Sequence, residues 1–160
     1  MPQSKVLKLS GIVHPQSIME NKHENPIFPT RKALEDIASS TNIKISLRNN
    51  HPKKNKDGKV PEVGHIDAFF INYKKQLQSD RIFVYDAQMQ NDIITGKMKN
   101  LSVGIDNVVY PVMENGEKVI KKDTSELYEV SLTNTPAYPE CKILSWEWVD
   151  GNFFFQKKIT

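Results

Sequence analysis

Short segments in which apolar and polar residues alternate are the dominant pattern of this 160-residue chain. Alternation over four to eight residues is typical of a half-buried β-strand, because successive side chains point to opposite faces of a sheet. Helical spacing of apolar residues is confined to two segments, around residues 31–38 and 91–99. The clearest alternating segments are residues 5–13, 43–47, 100–110 and 127–132. We therefore predict a mainly β fold with a few helices, of the α+β class, built as a curved sheet or barrel.

A single domain over residues 1–160 is expected from the length of the chain. Its core is predicted over about 43–143, with strands at Val63–Tyr73 and Arg81–Met89 and a hairpin turn at Glu114–Glu117. A terminal hairpin is expected over 144–158, turning at Asp150 and Gly151.

Composition removes several classes of function from consideration. Cys141 is the only cysteine, so no internal disulfide can form, and the chain has no cysteine or histidine spacing of the zinc type. No apolar run approaches 18 residues and the N-terminus has no long apolar segment, so we expect neither a membrane span nor a signal peptide. The net charge of +3 does not by itself indicate nucleic acid, although the lysine-rich segment Lys53–Lys56 leaves a docking or nucleic-acid patch open. We expect no metal and no cofactor.

A serine beside a glycine on one face of a predicted strand is the first candidate for chemistry. Within Asn100–Tyr110, Ser102 and Gly104 lie on the face opposite to Val103 and its apolar neighbours. Glycine inside a strand often marks a place where a ligand or another backbone comes close. Ser102 is thus a candidate nucleophile, with Val103 and Gly104 as candidate contacts for a peptide strand. The alternative is a half-buried strand with a polar outer face.

A base and an acid are needed to activate such a serine. The four histidines are His14, His23, His51 and His65. We expect solvated positions for His14 and His23, whereas His65 lies among apolar residues of a strand. His51 follows the strand that ends at Leu47, and a strand end is a common position for a catalytic side chain. Glu129, on the polar face of its strand, is the candidate that orients the base, its alternative being an exposed glutamate.

Four short motifs in a fixed order resemble the prohead (capsid maturation) proteases of tailed bacteriophages. They are a histidine after a strand at His51, Val63–Ile66, Leu101–Gly104, and Glu129–Leu132 followed by Asn134–Ala137. The resemblance covers about residues 43–143. It departs from the family at Pro52 and Ile105, and from its length we expect the chain to be without the long C-terminal extension that many members remove from themselves.

The resemblance implies a fold distantly related to the herpesvirus assembly proteases, and a serine peptidase with Ser102 as nucleophile, His51 as base and Glu129 as the orienting acid. The implied substrates are segments of the major capsid protein or scaffold protein, cleaved inside the procapsid in the host cytoplasm. A homodimer or larger homo-oligomer is compatible with the family. Two alternatives stay open: a non-catalytic capsid or scaffold component, and a tail-tube-like structural domain.

Overall fold

The computed structural model describes residues 5–15, 31–40, 43–50, 61–106, 109–123 and 126–151. In these ranges there are ten strands and two helices. The strands are β1 Lys5–His14, β2 Ile45–Asn49, β3 Gly64–Ile66, β4 Phe70–Ile71, β5 Leu77–Val84, β6 Asn100–Asp106, β7 Val109–Glu114, β8 Glu117–Asp123, β9 Glu126–Thr133 and β10 Ile143–Asp150. The helices are α1 Arg31–Ser39 and α2 Ala87–Ile94.

Eight of these strands form one sheet that curls into a half-barrel. Neighbouring strands follow the order β10-β1-β5-β3-β2-β9-β6, while β4 pairs with β5 and the hairpin β7-β8 is separate. Every strand pair is antiparallel except β2-β9, which is parallel. The mainly β fold with two helices confirms the predicted class.

Curling of the sheet brings its end strand β6 towards β1. The Leu101 N–H donates to the carbonyl of Cys141, and the Ile12 N–H donates to the carbonyl of Lys142 (both 3.0 Å). Gly11 lies so close to β6 that a Cβ there would be 2.5 Å from a methyl group of Leu101. The segment after β9 therefore connects the two strands at one end of the opening between them.

The main core lies on one face of the sheet, beneath the two helices, and a smaller cluster of Val6 and Phe83 is separate from it. Cross-strand rows of apolar residues fill it, because the alternation in β1, β5, β2 and β9 places one apolar set on the same face. Helix α1 contributes Ala33 and Leu34, and α2 contributes Met89 and Ile93. The fully buried strand residues include Leu7, Leu9, Leu47, Ile66, Ile82, Val84, Leu101, Val130 and Leu132.

Several predicted boundaries are corrected by the structure. The strand expected over Arg81–Met89 ends at Val84, because the side chain of Asp86 accepts a hydrogen bond from the Met89 N–H and begins α2. The helix expected over 91–99 therefore covers 87–94. The strand expected over Val63–Tyr73 is divided into β3 and β4.

The turn predicted at Glu114–Glu117 is confirmed. Asn115 and Gly116 both have positive φ, 50° and 79°, as a two-residue hairpin loop of type I′ requires. The other predicted hairpin extends to residue 158, and its part beyond Gly151 lies outside the described residues.

Candidate functional site

Ser102 lies on the end strand of the sheet and lines a cavity. Ser102 is 8% exposed, so it is largely buried but still accessible to solvent. Directly opposite on β9 is Ser131, which is fully buried. The cavity has a volume of about 220 Å³, and its walls include Val13, His14, Ser102, Val103, Tyr138 and Cys141.

Glu129 is buried next to this serine pair. It is 2% exposed, and the Ser131 hydroxyl donates a hydrogen bond of 2.9 Å to its Oε2. Because Ser131 is also the cross-strand neighbour of Ser102, a single serine lies between the candidate nucleophile and the candidate acid. The pairing of β6 with β9 thus brings Ser102 and Glu129 to one face of the sheet, in adjacent rows.

Gly104 is opposite Glu129, and the carboxylate occupies the space that a side chain would take. A Cβ at Gly104 would be 2.7 Å from Oε1 of Glu129 and 2.8 Å from its Cγ. It would also be 2.8 Å from Cζ of Tyr128. A glycine at this position therefore allows the carboxylate of Glu129 to lie across β6. This explains the glycine without the approach of a substrate strand that the sequence suggested.

Strand β2 adds polar side chains to the same face. Its parallel pairing places Ser46 beside Glu129 and Arg48 beside Ser131. The Arg48 Nε donates to the Ser46 hydroxyl at 3.2 Å. Just after β2, the Asn50 N–H donates to the carbonyl of Leu132 at 2.9 Å. The first residue after β2 is therefore fixed by a hydrogen bond to Leu132, the residue that follows Ser131.

Two of the four histidines, His23 and His51, lie outside the described residues, and so does the lysine-rich segment 53–56. The expectation of a solvated position is wrong for His14, which is 3% exposed and lines the cavity together with Ser102. It is buried because β1 continues to this residue and pairs it with Leu77. Burial lowers the pKa of His14, and its Nδ1 donates to the carbonyl of Pro15.

His65 lies on β3, which is separated from β6 by β2 and β9 in the order of the sheet. It is not among the described residues that line the cavity with Ser102. His65 is 1% exposed, and its Nδ1 is 2.7 Å from the hydroxyl of Tyr85. Its burial agrees with the apolar neighbours noted in the sequence.

Sequence reasoning missed three residues of the cavity wall: His14, Tyr138 and Cys141. Tyr138 contacts His14 edge-on, with ring centroids 5.3 Å apart. Cys141 is 1% exposed, and burial raises the pKa of its thiol to about 12. No local signal in the sequence marks these residues, because the curling of the sheet brings them to Ser102. Of the two residues predicted to contact a peptide, Val103 lines the cavity and Gly104 lies beneath Glu129.

Comparisons with family models, with curated proteins and with solved structures gave no match. Neither of the two helices in the described ranges has the length and apolar content that a membrane span requires.

Proposed function

We propose that this chain is a serine endopeptidase that cleaves scaffold or capsid-protein segments during maturation of a phage procapsid. One observation carries the peptidase part: Ser102 lines a cavity and faces Ser131, whose hydroxyl donates to the buried carboxylate of Glu129. The substrate class is supported by the motif resemblance to prohead proteases. The same resemblance supports assigning the half-barrel to the type found in herpesvirus assembly proteases.

Ser102 is the nucleophile in this proposal, and Glu129 orients the base. A carboxylate in that role must be held in a fixed place and kept from bulk water, and Glu129 meets both conditions. His51 is proposed as the base, although it lies outside the described residues. The position of Asn50, which precedes it and is hydrogen-bonded to β9 beside Ser131, supports this choice.

The reaction is acyl transfer. The base removes the hydroxyl proton as the Ser102 oxygen attacks the scissile carbonyl, and the same proton passes to the leaving amine as the peptide bond breaks. Water then attacks the acyl-enzyme, giving the carboxylate product and restoring the serine. General-base assistance contributes about 10²–10⁴-fold to the rate, so removing the base leaves a slow but measurable reaction.

The test is the variant Ser102→Ala, co-expressed with a phage major capsid protein or scaffold protein, the substrate class that the proposal names. Loss of cleavage is expected, while the circular dichroism spectrum and the thermal melting curve stay those of the original protein. Ser145→Ala is the matched control, because Ser145 is an exposed serine on β10 and does not line the cavity around Ser102. Cleavage that persists in Ser102→Ala removes the proposed nucleophile and favours a non-catalytic structural role.

A further inference from the structure

We propose that the cavity between the end of β1 and the open edge of β6 binds an uncharged, apolar side chain of an extended peptide, next to the bond to be cleaved. This inference rests on the proposed function and adds the substrate class that the site selects. It is argued from a strand edge that can pair with a peptide, a cavity with several aliphatic residues at that edge, and the absence of carboxylate, ammonium and guanidinium groups among the described lining residues.

The edge of β6 is open beyond Leu101 in the described part of the chain. Leu101 directs its N–H away from β9, to the carbonyl of Cys141, and Lys99 accepts at the same edge from the Ile143 N–H. Backbone groups of alternate residues point to the same edge of a strand, so Val103 directs its N–H and carbonyl there as well. Since β6 ends the order of strands, no described strand pairs with Val103 at this edge. An extended peptide can add to such an edge by main-chain hydrogen bonds.

Aliphatic side chains line the cavity next to this edge alongside the polar side chains of His14, Ser102 and Tyr138, so its walls offer polar and apolar surface in about equal measure. Val13, Leu101, Val103, Ile105 and Ala137 contribute to its walls. A cavity of about 150 Å³ is enough to hold benzene. The volume of about 220 Å³ therefore has room for a side chain the size of leucine, methionine or phenylalanine.

No carboxylate, ammonium or guanidinium group is among the described residues that line the cavity. The remaining ionisable groups there include His14 and Cys141. Burial lowers the pKa of His14 and raises that of Cys141, which favours the neutral form of both at pH 7.5. A charged substrate side chain would lose its water without gaining an opposite charge, which is costly. The site is therefore expected to discriminate against lysine, arginine, aspartate and glutamate at this substrate position.

The experiment uses two variants that change the cavity in opposite directions. Ala137→Phe fills it and Tyr138→Ala enlarges it, whereas Ala87→Phe is the matched control, because Ala87 is exposed at the start of α2 and does not line the cavity. Each protein is first shown to melt as the original does. A library of peptides is then digested, and the residues flanking each cleaved bond are identified by mass spectrometry.

The original protein is expected to select an uncharged apolar residue at one position beside the cleaved bond. Ala137→Phe should lower kcat/KM for leucine-sized residues by at least roughly 10-fold, because a mismatch of a single methylene group in a hydrophobic pocket already changes it roughly 10- to 200-fold. Tyr138→Ala should shift the preference to bulkier residues, and Ala87→Phe should leave it unchanged.

Binding is measured separately on the Ser102→Ala protein by isothermal titration calorimetry, with the best-cleaved peptide, or with acetyl-Leu-Leu-Leu-Leu-amide if nothing is cleaved. If the peptide binds, Ala137→Phe abolishes that binding and the original protein cleaves nothing, the subsite is supported and the peptidase proposal is contradicted. Cleavage with the same preference in all variants overturns the subsite alone. If the peptide is neither bound nor cleaved, both proposals are overturned.

Discussion

Replacing Gly104 by alanine tests whether the Glu129 carboxylate lies across β6 as described. The added Cβ would be 2.7 Å from Oε1 of Glu129, and ordinary van der Waals contact begins near 3.4 Å. The carboxylate cannot retreat freely, because Glu129 is buried and its Oε2 accepts the hydrogen bond from Ser131. The substitution must therefore displace either the acid or the strand pair.

The magnitude follows from three terms. Overfilling a packed site costs about 1–3 kcal/mol. Weakening a hydrogen bond to a charged group adds up to about 1.5–3 kcal/mol. Alanine is favoured over glycine inside a strand by about 0.5–1 kcal/mol. Together they predict that Gly104→Ala lowers the free energy of unfolding by about 2–4 kcal/mol.

Urea unfolding, followed by circular dichroism, measures this loss in a double-mutant cycle with Glu129→Ala. Glu129→Ala removes two of the three nearest atoms. The third belongs to the ring of Tyr128, which is 48% exposed and can turn aside. In the Glu129→Ala background, Gly104→Ala should therefore lower the free energy of unfolding by less than about 1 kcal/mol. The coupling energy between the two substitutions should be at least about 1 kcal/mol.

Gly116→Ala is the control. Gly116 has φ of 79° and no atom within 4 Å of the position of its Cβ, so its cost is conformational, about 1–2 kcal/mol, and independent of Glu129. If Gly104→Ala costs less than about 0.5 kcal/mol, or shows no coupling with Glu129→Ala, the carboxylate does not lie across the strand. The geometry proposed for the catalytic acid would then be wrong.

Three further changes are predicted. Gly64→Ala should lower the free energy of unfolding in urea by at least about 3 kcal/mol, because its Cβ would be 1.8 Å from the backbone oxygen of Phe83, which cannot move by changing rotamer. A loss under about 1 kcal/mol would contradict the close approach of β3 and β5. Because the pKa of His14 is lowered in the folded protein, the unfolded chain binds more protons than the folded protein below about pH 6.5. The free energy of unfolding, measured by urea titration, should therefore fall by up to about 1.4 kcal/mol per pH unit as the pH is lowered. His14→Asn should remove that pH dependence. With a pKa of about 12, Cys141 should react with a thiol reagent at pH 8 roughly a thousandfold more slowly in the folded protein than in urea, and equal rates would show that it is not buried.

The sequence predicted the strands that carry the site but not what surrounds them. Alternation in β6 and β9 shows which side chains share a face within each strand, and it correctly grouped Ser102 with Gly104. It does not give the register between strands, which places Ser131 opposite Ser102 and Glu129 opposite Gly104. Those two pairs join residues 29 and 25 positions apart in the chain, so the register depends on the tertiary fold.

The errors have identifiable causes. Alternation alone extends the predicted strand to Met89, whereas the side chain of Asp86 accepts a hydrogen bond from the residue three positions later and caps α2. The prolines and polar residues that follow His14 predict a solvated position, but pairing with β5 carries β1 into the interior as far as this residue. Here a long-range contact overrides local composition.

Incomplete closure of the half-barrel leaves Ser102, on a core strand, at the wall of a cavity, as the proposed peptidase requires. Bonds through Cys141 and Lys142 hold β6 against β1 as far as Leu101, and at this point Gly11 and Leu101 are in contact. Ser102 is the next residue, where the cavity begins. If closure continued by one more pair of residues, the edge at Val103 would be occupied and the cavity filled. The proposed nucleophile therefore lies at the point where the two strands separate, so it combines the rigidity of a sheet with access to substrate.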